Sequence, residues 1–493
     1  MRHVIGIGDF TRSDIEPIVR KGIETIPVAR QRQIGHEAWE RFPERIVTGL
    51  FLEPSTRTRG SYQEATQLNG WTWREIIGAE ATSLIKGESL ANMARMLASQ
   101  GAHVIVARSK IEGMQRFWAE LLEREGYCVS VQNAGDGTNQ HPTQTFLDLV
   151  TILNASKRLD NLKIGFFGDL KYGRTVHSLL RALALFPHIS VVLASDPETA
   201  LQDSYKRLFR GNITEGDSLE VLRGCHFVYG ARVQRERFVG DEAALIRAEN
   251  KFCLTRASLD MLGEDVYIMH PMPFLKEFSN EIFSDPRFIV YQQAWHGIPT
   301  RMALLELGFA GKEEKTLDLN NPPADCARQV LADIPLEVYF QGRQGKDDFF
   351  RPVRNGVVVD HITHGLGMII MRYLIGNGLI NGGVRHLIEN VPSQKYGRKD
   401  VLVLQSDAIS DEGMETIAAL SPQVTFNIIR GGTFRKEKIR PPKILRGVGR
   451  CPNANCVTNH ESEAVPRFVN DGNGNLTCWY CEKEYKVPEV LPR

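Results

Sequence analysis

The sequence predicts an α/β protein followed by two smaller domains, and three observations support this. Short apolar runs alternate with helical patterns from residue 1 to about 290, which is typical of parallel α/β layers. Residues 311–349 are then rich in Lys, Glu and Asp and contain Asn321-Pro322-Pro323, so we expect a linker there. Beyond it the pattern becomes strand-rich with two helical segments, and the last part of the chain holds a cysteine cluster.

The length of 493 residues exceeds one ordinary hydrophobic core, so we expect several domains. We divide the α/β region into domains at 1–150 and 151–290, with a helix over 291–310 returning to the first domain. The two later domains are predicted at 350–445 and 446–493.

The composition argues against nucleic acid or a membrane as a partner. Lys plus Arg (60) nearly balances Asp plus Glu (59), and no apolar run approaches the length of about 20 residues that spans a bilayer. Four scattered cysteines are interpreted as incidental thiols: Cys128, Cys225, Cys253 and Cys326. A reducing cytoplasm is the simplest location.

The stretch Pro54-Ser55-Thr56-Arg57-Thr58-Arg59 is the strongest candidate site. It follows an apolar run at 46–52 that is interpreted as a buried strand, and it opens a helical segment at 60–69. Hydroxyls, free backbone N–H groups and arginines at a helix N-terminus suit a phosphate dianion. The alternative is an ordinary capped helix with solvated arginines.

Three further segments can complete an anion site. Ser83 and Lys86 lie in a polar loop, where a lysine is usually solvated but beside a phosphate can act as a clamp. Arg108 ends an apolar run, at the edge where open α/β sheets bind ligands. His141 lies in a long polar loop just before Pro142, where it can donate to a polarised carbonyl or simply serve as a cap or turn residue.

The second α/β domain supplies residues suited to carboxylates. Arg174 begins a helix after a strand and a loop that lacks the G-x-G-x-x-G spacing of a dinucleotide site. Arg232 and Gln234 follow another strand, and His270-Pro271-Met272-Pro273 ends the last one. Dianion ligands, two arginines and a histidine without metal-ligand spacing indicate group transfer by positioning and electrostatics.

Residues 1–310 closely resemble the catalytic chain of the aspartate carbamoyltransferase family. The motifs that carry the resemblance are FLEPSTRTR (51–59), TSLIKGESL (82–90), NAGDGTNQHPTQT (133–145), GDLKYGRTVHS (168–178), ARVQRER (231–237) and HPMP (270–273). The resemblance implies two doubly wound parallel-sheet lobes that bind carbamoyl phosphate and L-aspartate, and carbamoyl transfer between them without a catalytic metal or organic cofactor.

The resemblance also implies roles for single residues. The residues expected to bind carbamoyl phosphate are Ser55, Thr56, Arg57, Thr58, Ser83, Lys86, Arg108, His141, Gln144, Pro271 and Met272. Within that set the catalytic residues are Arg57, Thr58, Lys86, Arg108 and His141, and Gln144 and Pro271 would contact the carbamoyl amino group. Those expected to bind aspartate are Lys86, Arg174, Thr175, Arg232 and Gln234. Ser83 and Lys86 would reach a neighbouring subunit's site, which implies a catalytic trimer.

The sequence departs from the family pattern at two places. The loop at 82–90 is one residue shorter than in some relatives, and Phe274 stands where many carry arginine. Two other functions are alternatives. Ornithine carbamoyltransferase usually has a cysteine in place of Pro271 and an S-M-G segment near 232–237, and neither is present. A catalytically dead scaffold conflicts with the intact set of predicted ligands.

The cysteine cluster predicts a structural zinc site. Cys451 and Cys456 form one close pair, Cys478 and Cys481 form another, and a loop separates the pairs. Disulfides are the alternative chemistry. A nucleic-acid zinc ribbon is the alternative function, but the near balance of acidic and basic residues over 443–493 argues against it.

The C-terminal part resembles the regulatory chain of the same enzyme family, fused in frame. The matches are VVVDHI (357–362), YGRKDVLVL (396–404), PQVTFNII (422–429), CPNANC (451–456) and the segment 478–485. The resemblance implies a ferredoxin-like α+β domain, a zinc-binding β domain and pairing of regulatory domains. Effector-site positions fall on Asp360, His361, Lys399 and Asn427, but two expected lysines are replaced by Val403 and Glu437, so the response to nucleotides stays open.

Overall fold

The computed structural model describes residues 3–34, 45–209, 211–235, 238, 242–309, 328–341, 355–380, 383–405 and 409–491. The chain forms two compact units, Met1–Thr316 and Leu317–Arg493. The first unit holds two parallel sheets, and the second holds two antiparallel sheets. Among the described helices, none combines the length and apolar character needed to cross a bilayer.

The first lobe is a parallel sheet with helices between its strands. In chain order its elements are α1 (Arg12–Ile34), β1 (Ile46–Phe51), α2 (Thr56–Leu68), β2 (Thr72–Ile77), α3 (Leu90–Ser99), β3 (Val104–Ser109), α4 (Met114–Arg124), β4 (Ser130–Asp136) and α5 (Pro142–Ser156). The strand order is β2-β1-β3-β4, so the winding direction reverses between β1 and β3.

The second lobe repeats this design. Its elements are β5 (Lys163–Gly168), α6 (Arg174–Leu183), β6 (Ser190–Ala194), α7 (Asp203–Lys206), β7 (Asn212–Gly216), β8 (Phe227–Ala231), α8 (Glu242–Lys251), α9 (Arg256–Leu262) and β9 (Tyr267–Met269). The parallel order β7-β6-β5-β8-β9 reverses between β5 and β8. A final helix, α10 (Val290–Leu307), packs against α1, α2 and α5 of the first lobe.

The two lobes share a hydrophobic core. Ile15 and Phe146 of the first lobe belong to the same buried cluster as Phe166, Leu179 and Tyr229 of the second. Burial of such side chains stabilises a fold by about 1.5–3 kcal/mol each. The lobes are therefore packed on a common apolar layer, and their switch points are held in a defined relation.

The second unit begins earlier than the sequence predicts. Within the expected linker at 311–349, the described residues form β10 (Arg328–Pro335) and α11 (Leu336–Gln341). Strand β10 pairs with a later strand of the regulatory sheet, and Ala332 and Ile334 pack on that sheet's core. The high content of Lys, Glu and Gly concealed this alternation, and the rest of the expected linker lies outside the described residues.

The sheet of the second unit has the predicted ferredoxin-like arrangement. Its remaining elements are β11 (Gly356–Thr363), α12 (Gly367–Gly376), β12 (Val384–Ser393), β13 (Gly397–Gln405), α13 (Asp411–Leu420), β14 (Thr425–Arg430) and β15 (Thr433–Ile439). The strands run β10-β15-β14-β11-β13-β12, so the βαββαβ core has the order 4-1-3-2 with two strands added at one edge.

The last domain is a small antiparallel sheet. Its elements are β16 (Ile444–Arg446), β17 (Arg467–Asn470), β18 (Asn475–Cys478), β19 (Glu484–Lys486) and α14 (Val487–Val490). The strands pair in sequence order, and the loop after β16 lies beside the turn after β18. This brings the two cysteine pairs together.

Candidate active site

The predicted substrate ligands lie at the switch points of both parallel sheets. Ser55 follows β1, and Arg108 lies at the end of β3. In the second lobe, Arg174 begins the helix after β5, and Arg232 follows β8. Because the carboxyl ends of neighbouring parallel strands open into a crevice where the winding reverses, the fold directs these residues to ligand-binding positions.

The N-terminus of α2 is arranged for an anion. Ser55 has extended backbone angles at the N-cap position, yet its side chain does not cap the helix, and the first turn contains no acidic residue. The first N–H groups of a helix have no partner inside the helix and carry partial positive charge. Arg57 lies in this turn, and partial burial lowers the pKa of its guanidinium. The side chain of Ser55 therefore does not close this helix end, and Arg57 is exposed beside it.

Arg108 and Arg174 meet on one glycine. A Cβ atom added to Gly135 would lie 3.2 Å from Nη1 of Arg108 and 3.2 Å from Cζ of Arg174. Gly135 also has a φ of 118°, which disfavours any side chain. Arg108 donates to the carbonyl of Ala134 (3.3 Å), and Arg174 donates to that of Gly137 (2.7 Å). The two lobes thus present their arginines side by side.

His141 is a buried, neutral histidine at the centre of these cations. Its Nε2 lies 3.3 Å from Oγ1 of Thr58. Burial, with the charges of Arg174, Arg108 and Arg301, holds its pKa well below the usual value of 6.5. Nδ1 of His141 has no hydrogen-bond partner among the described residues. A neutral imidazole keeps one N–H donor and one acceptor, so it can donate to a carbonyl oxygen without a net charge.

His141 is not a capping residue. It occupies the N-cap position of α5 with Pro142 next, but its side chain makes no cap hydrogen bond. Its backbone N–H lies 3.4 Å from Oγ of Ser178, a residue of α6. The start of α5 is therefore tied to the second lobe, which leaves the imidazole for another use.

One of the predicted aspartate ligands, Gln234, is held by Asp169, a residue that the sequence analysis did not single out. Asp169 is fully buried and accepts the backbone N–H groups of Tyr172 (2.9 Å) and Gln234 (3.0 Å). The Gln234 side chain in turn donates to the carbonyl of Tyr172 (2.8 Å). Burial raises the pKa of Asp169, while these hydrogen bonds oppose the rise. In the sequence, the feature that could have identified Asp169 is its position inside the segment 168–178.

The turn after β9 places His270 near predicted arginines of both lobes. Nδ1 of His270 accepts the N–H of Met272 (2.8 Å), and burial with the charges of Arg57 and Arg232 lowers the pKa of His270 to about 3. Arg57 of the first lobe and Arg232 of the second therefore act on the same imidazole. Arg108 and Arg174 lower the pKa of His141 in the same way, so each of the two histidines has a predicted arginine of each lobe acting on it. These four arginines are called the cationic region below.

Two predicted residues are not joined to this region within the chain. Ser83 and Lys86 lie in a short 3₁₀ turn, Ser83–Lys86. Oγ of Ser83 bonds Glu88, Lys86 is exposed, and Ile85 is 64% exposed. No described contact links either residue to the arginines above.

The effector-like residues of the second unit are already paired with one another. Nζ of Lys399 lies 2.6 Å from Oδ1 of Asp360, and Nδ1 of His361 lies 3.3 Å from the other oxygen of Asp360. Asn427 faces Lys436 across β14 and β15, and the charge of Lys436 acts on His361. Lys436, the neighbour of Glu437 in the chain, thus lies close to two of the effector-like residues.

The two positions where lysine was expected are unsuited to bind an anion. Val403 is buried in the apolar cluster of the sheet. Glu437 is 3% exposed and pairs with Arg435 at 2.7 Å. On the face that carries Val403, the ring of Tyr339 from α11 stacks on Phe434 with centroids 3.8 Å apart.

The four clustered cysteines have the geometry of a tetrahedral metal site. Their sulfurs all lie within 4.8 Å of one another, and all four residues are buried. Sγ of Cys451 lies 3.6 Å from that of Cys481, and Cys456 lies 3.7 Å from Cys478. A tetrahedron with Zn–S bonds of about 2.3 Å separates its sulfurs by about 3.8 Å. The four thiolates therefore fit zinc, which they would hold in a closed, structural site.

Four family models match the chain in succession. They are the aspartate/ornithine carbamoyltransferase carbamoyl-P binding domain (2–154) and Asp/Orn binding domain (160–307), followed by the aspartate carbamoyltransferase regulatory chain allosteric domain (350–440) and metal binding domain (443–491). Together they show catalytic-chain and regulatory-chain domains on one polypeptide.

Curated relatives and solved structures agree over the first unit. The catalytic subunit from Methanosarcina barkeri is 41% identical over 310 residues, covering 62% of this chain and 96% of the relative. That from Archaeoglobus fulgidus is 38% identical over 305 residues, covering 62% and 98%.

Among solved structures, the catalytic subunit of M. jannaschii aspartate transcarbamoylase matches with a TM-score of 0.57 at 34% identity, covering 62% of this chain and 97% of that one. The Trypanosoma cruzi enzyme in complex with carbamoyl phosphate and aspartate matches with a TM-score of 0.56 at 29% identity, covering 62% and 95%. The chain belongs to the aspartate carbamoyltransferase family and carries the catalytic and regulatory domains of that family in one polypeptide.

Proposed function

We propose that this protein transfers the carbamoyl group of carbamoyl phosphate to the amine of L-aspartate, which yields N-carbamoyl-L-aspartate and phosphate for de novo pyrimidine (UMP) synthesis. One observation carries the proposal: arginines from both lobes surround the neutral His141, with Arg108 and Arg174 meeting on Gly135. Two small anions brought into such a region are held close together, and positioning alone can supply about 7–11 kcal/mol of a barrier.

The phosphate group binds at the start of α2. The N–H groups of this turn, the hydroxyls of Ser55 and Thr56 and the guanidinium of Arg57 are its ligands. Hydrogen bonds to charged groups contribute about 1.5–3 kcal/mol each, so the phosphate anchors the first substrate. The carbonyl of the substrate then lies toward Thr58, Arg108 and His141.

These three residues and Arg57 stabilise the oxyanion. The neutral aspartate amine attacks the carbamoyl carbon, and the π electron pair of the C=O bond moves to the carbonyl oxygen of the tetrahedral intermediate. The C–O bond to phosphate then breaks, and the leaving phosphate accepts the proton of the amine. Because His141 is neutral, it donates a hydrogen bond to the oxyanion without first losing a proton. Loss of one oxyanion donor costs about 10²–10³ in turnover.

The carboxylates of aspartate bind the second lobe. Arg174 and Thr175 begin α6, where the helix N-terminus also favours an anion, and Arg232 and Gln234 follow β8. Asp169 bonds Tyr172 in the loop before α6 and Gln234 in the loop after β8, so it holds together the two loops that carry these residues.

Ser83 and Lys86 complete the active site of a neighbouring copy in a catalytic trimer. The exposed turn that carries them, with Ile85 at its tip, is accessible to a second chain. Pairs of regulatory domains join such trimers, and zinc stabilises the cysteine domain. Four closely spaced reduced thiols fit a cytoplasmic location.

The test compares aspartate with ornithine as acceptor at fixed carbamoyl phosphate, alongside a solution mass measurement. We expect N-carbamoyl-L-aspartate and no citrulline, and a mass that is a multiple of three chains. Ornithine activity without aspartate activity would overturn the substrate assignment, and an active monomer would overturn the shared site.

A further inference from the structure

The mechanism above does not use the buried carboxyl group of Asp148. Asp148 lies on α5, one helical turn after Gln144, and is fully buried. Burial raises its pKa to about 7, while hydrogen bonds from Gln293, Gln144 and Tyr229 and the charge of Arg301 oppose the rise. A buried carboxyl is unfavourable unless its oxygens are satisfied, so its contacts indicate what it does.

Every described hydrogen bond to Asp148 comes from a neutral donor. Oδ1 accepts Nε2 of Gln144 at 2.9 Å and Nε2 of Gln293 at 2.7 Å. Oδ2 accepts the hydroxyl of Tyr229 at 3.0 Å. The carboxylate thus binds the nitrogen ends of two side-chain amides, one on its own helix and one on α10.

An amide has a donor end and an acceptor end, so binding one end fixes the direction of the other. With Nε2 of Gln144 held by Asp148, Oε1 of Gln144 is the end left for a ligand. The amino group of carbamoyl phosphate can only donate, so it requires an acceptor. Asp148 therefore sets Gln144 in the orientation that this amino group needs.

The second amide transmits the same constraint to the turn after β9. Nε2 of Gln293 binds Asp148, and Oε1 of Gln293 accepts the backbone N–H of His270 at 2.8 Å. The bonded N–H belongs to the Met269–His270 peptide, so this bond anchors the main chain just before Pro271, whose carbonyl is the other predicted acceptor for the amino group. Tyr229 also bonds Thr175, a predicted aspartate ligand.

We propose that Asp148 is a positioning residue that makes the site selective for a carbamoyl group over an acyl group, because it holds the acceptors Gln144 and Pro271 toward the substrate's amino group. This inference rests on the proposed carbamoyl transfer. Asp148 itself does not touch the substrate.

The test uses acetyl phosphate, in which a methyl group replaces the amino group. In Asp148→Asn the side chain keeps its size, but an NH2 donor replaces one acceptor oxygen, so either the Tyr229 hydroxyl or the two glutamine amides lose their acceptor. We expect the affinity for carbamoyl phosphate to fall by about 10- to 100-fold, because a donor of the ligand or of the site is left unsatisfied. The inhibition constant of acetyl phosphate should change by less than about threefold, since its methyl group uses neither acceptor.

A second variant keeps the test decisive if Asp148→Asn does not fold. Gln293→Met removes the amide that links Asp148 to His270 and keeps a similar volume. It should weaken carbamoyl phosphate binding and spare acetyl phosphate binding. Gln144→Ala is the reference variant, and its effect should combine with that of Asp148→Asn less than additively.

The outcomes separate this inference from the proposed function. If wild-type protein forms no N-carbamoyl-L-aspartate, the proposed function fails. If the wild type is active and the variants weaken carbamoyl phosphate and acetyl phosphate by the same factor, Asp148 is a general structural residue and the inference is overturned. Selective loss of carbamoyl phosphate binding supports it.

Discussion

The cationic region of the first unit and the effector-like residues of the second unit differ in the charges that surround their histidines. Around His141, every charge that shifts its pKa is an arginine. Around His361, the anion Asp360 raises the pKa, while Lys399, Lys436 and Lys395 lower it. Lys399 is also bound to Asp360 at 2.6 Å.

The difference teaches what an anion site requires beyond cationic residues. In the first unit, backbone carbonyls accept from Arg108 and Arg174 at 3.3 and 2.7 Å, and the carboxylate of Glu53 lies farther away, 3.8 Å from Nε of Arg108, so it offsets only part of the positive charge. In the second unit, a carboxylate holds the lysine and neutralises its charge directly. A multiply charged ligand is therefore expected to bind the first region far better than the second.

Zinc removal should give the largest effect, confined to the second unit. Structural zinc contributes about 10–16 kcal/mol of binding free energy, so a strong chelator should unfold the sheet around Cys451 and Cys478. Carbamoyl transfer should persist, because no cysteine lies among the predicted ligands. Hydrogen exchange of both units in one sample measures this, with Cys253→Ser as the control for Cys478→Ser. Full protection of the cysteine domain after metal loss would contradict it.

Arg57→Ala tests the cationic region directly. We expect turnover to fall by at least about 10²–10³, because an oxyanion donor and a phosphate ligand are lost together. Arg59→Ala is the matched control on the same helix, since Arg59 pairs loosely with Glu75 at 3.8 Å. Steady-state rates with both substrates saturating decide the matter. Equal rates for the two variants would remove Arg57 from the site.

The two histidines should respond to substitution with opposite signs. Arg174→Gln removes a cation and should raise the pKa of His141, whereas Asp360→Asn removes an anion and should lower that of His361. Resonance titration of each imidazole measures both shifts, and shifts of the same sign would refute the comparison.

The low pKa of His141 also predicts acid sensitivity. The pKa of a histidine in an unfolded chain is about 6.5, so below that pH the unfolded chain binds a proton that the folded chain does not bind. The stability that neutral His141 contributes is therefore present above this value and declines as the pH falls. Each such group contributes up to about 1.36 kcal/mol per pH unit, which unfolding midpoints at two pH values can detect.

Nucleotides should have the smallest effect. Because Lys399 is paired, Val403 is buried and Tyr339 covers the sheet face at Phe434, we expect ATP, CTP and UTP to leave the aspartate saturation curve unchanged. Tyr339→Ala removes the covering ring. A response to nucleotides in that variant alone would show that the ring limits binding, and a response in the wild type would overturn the expectation.

Sequence reasoning pointed to the residues predicted to contact a substrate more readily than to the residues that hold them. Ser55, His141 and Arg174 stand in runs of polar residues between a strand and a helix, where chemistry is visible in the residue types. Asp148 and Asp169 were missed, because a lone acid on a helix or in a loop is compatible with many roles. The strand at 328–335 was missed because its pairing partner lies about a hundred residues away.

The amino-acid sequence by itself determined the α/β alternation, the set of polar ligands at strand ends and the two cysteine pairs, because these depend on local periodicity and spacing. Only the tertiary structure decided which carboxylate neutralises which cation and which amide faces which oxygen. These are contacts between residues far apart in the chain, and their energy depends on burial and on distances of a few ångströms, which residue order does not encode.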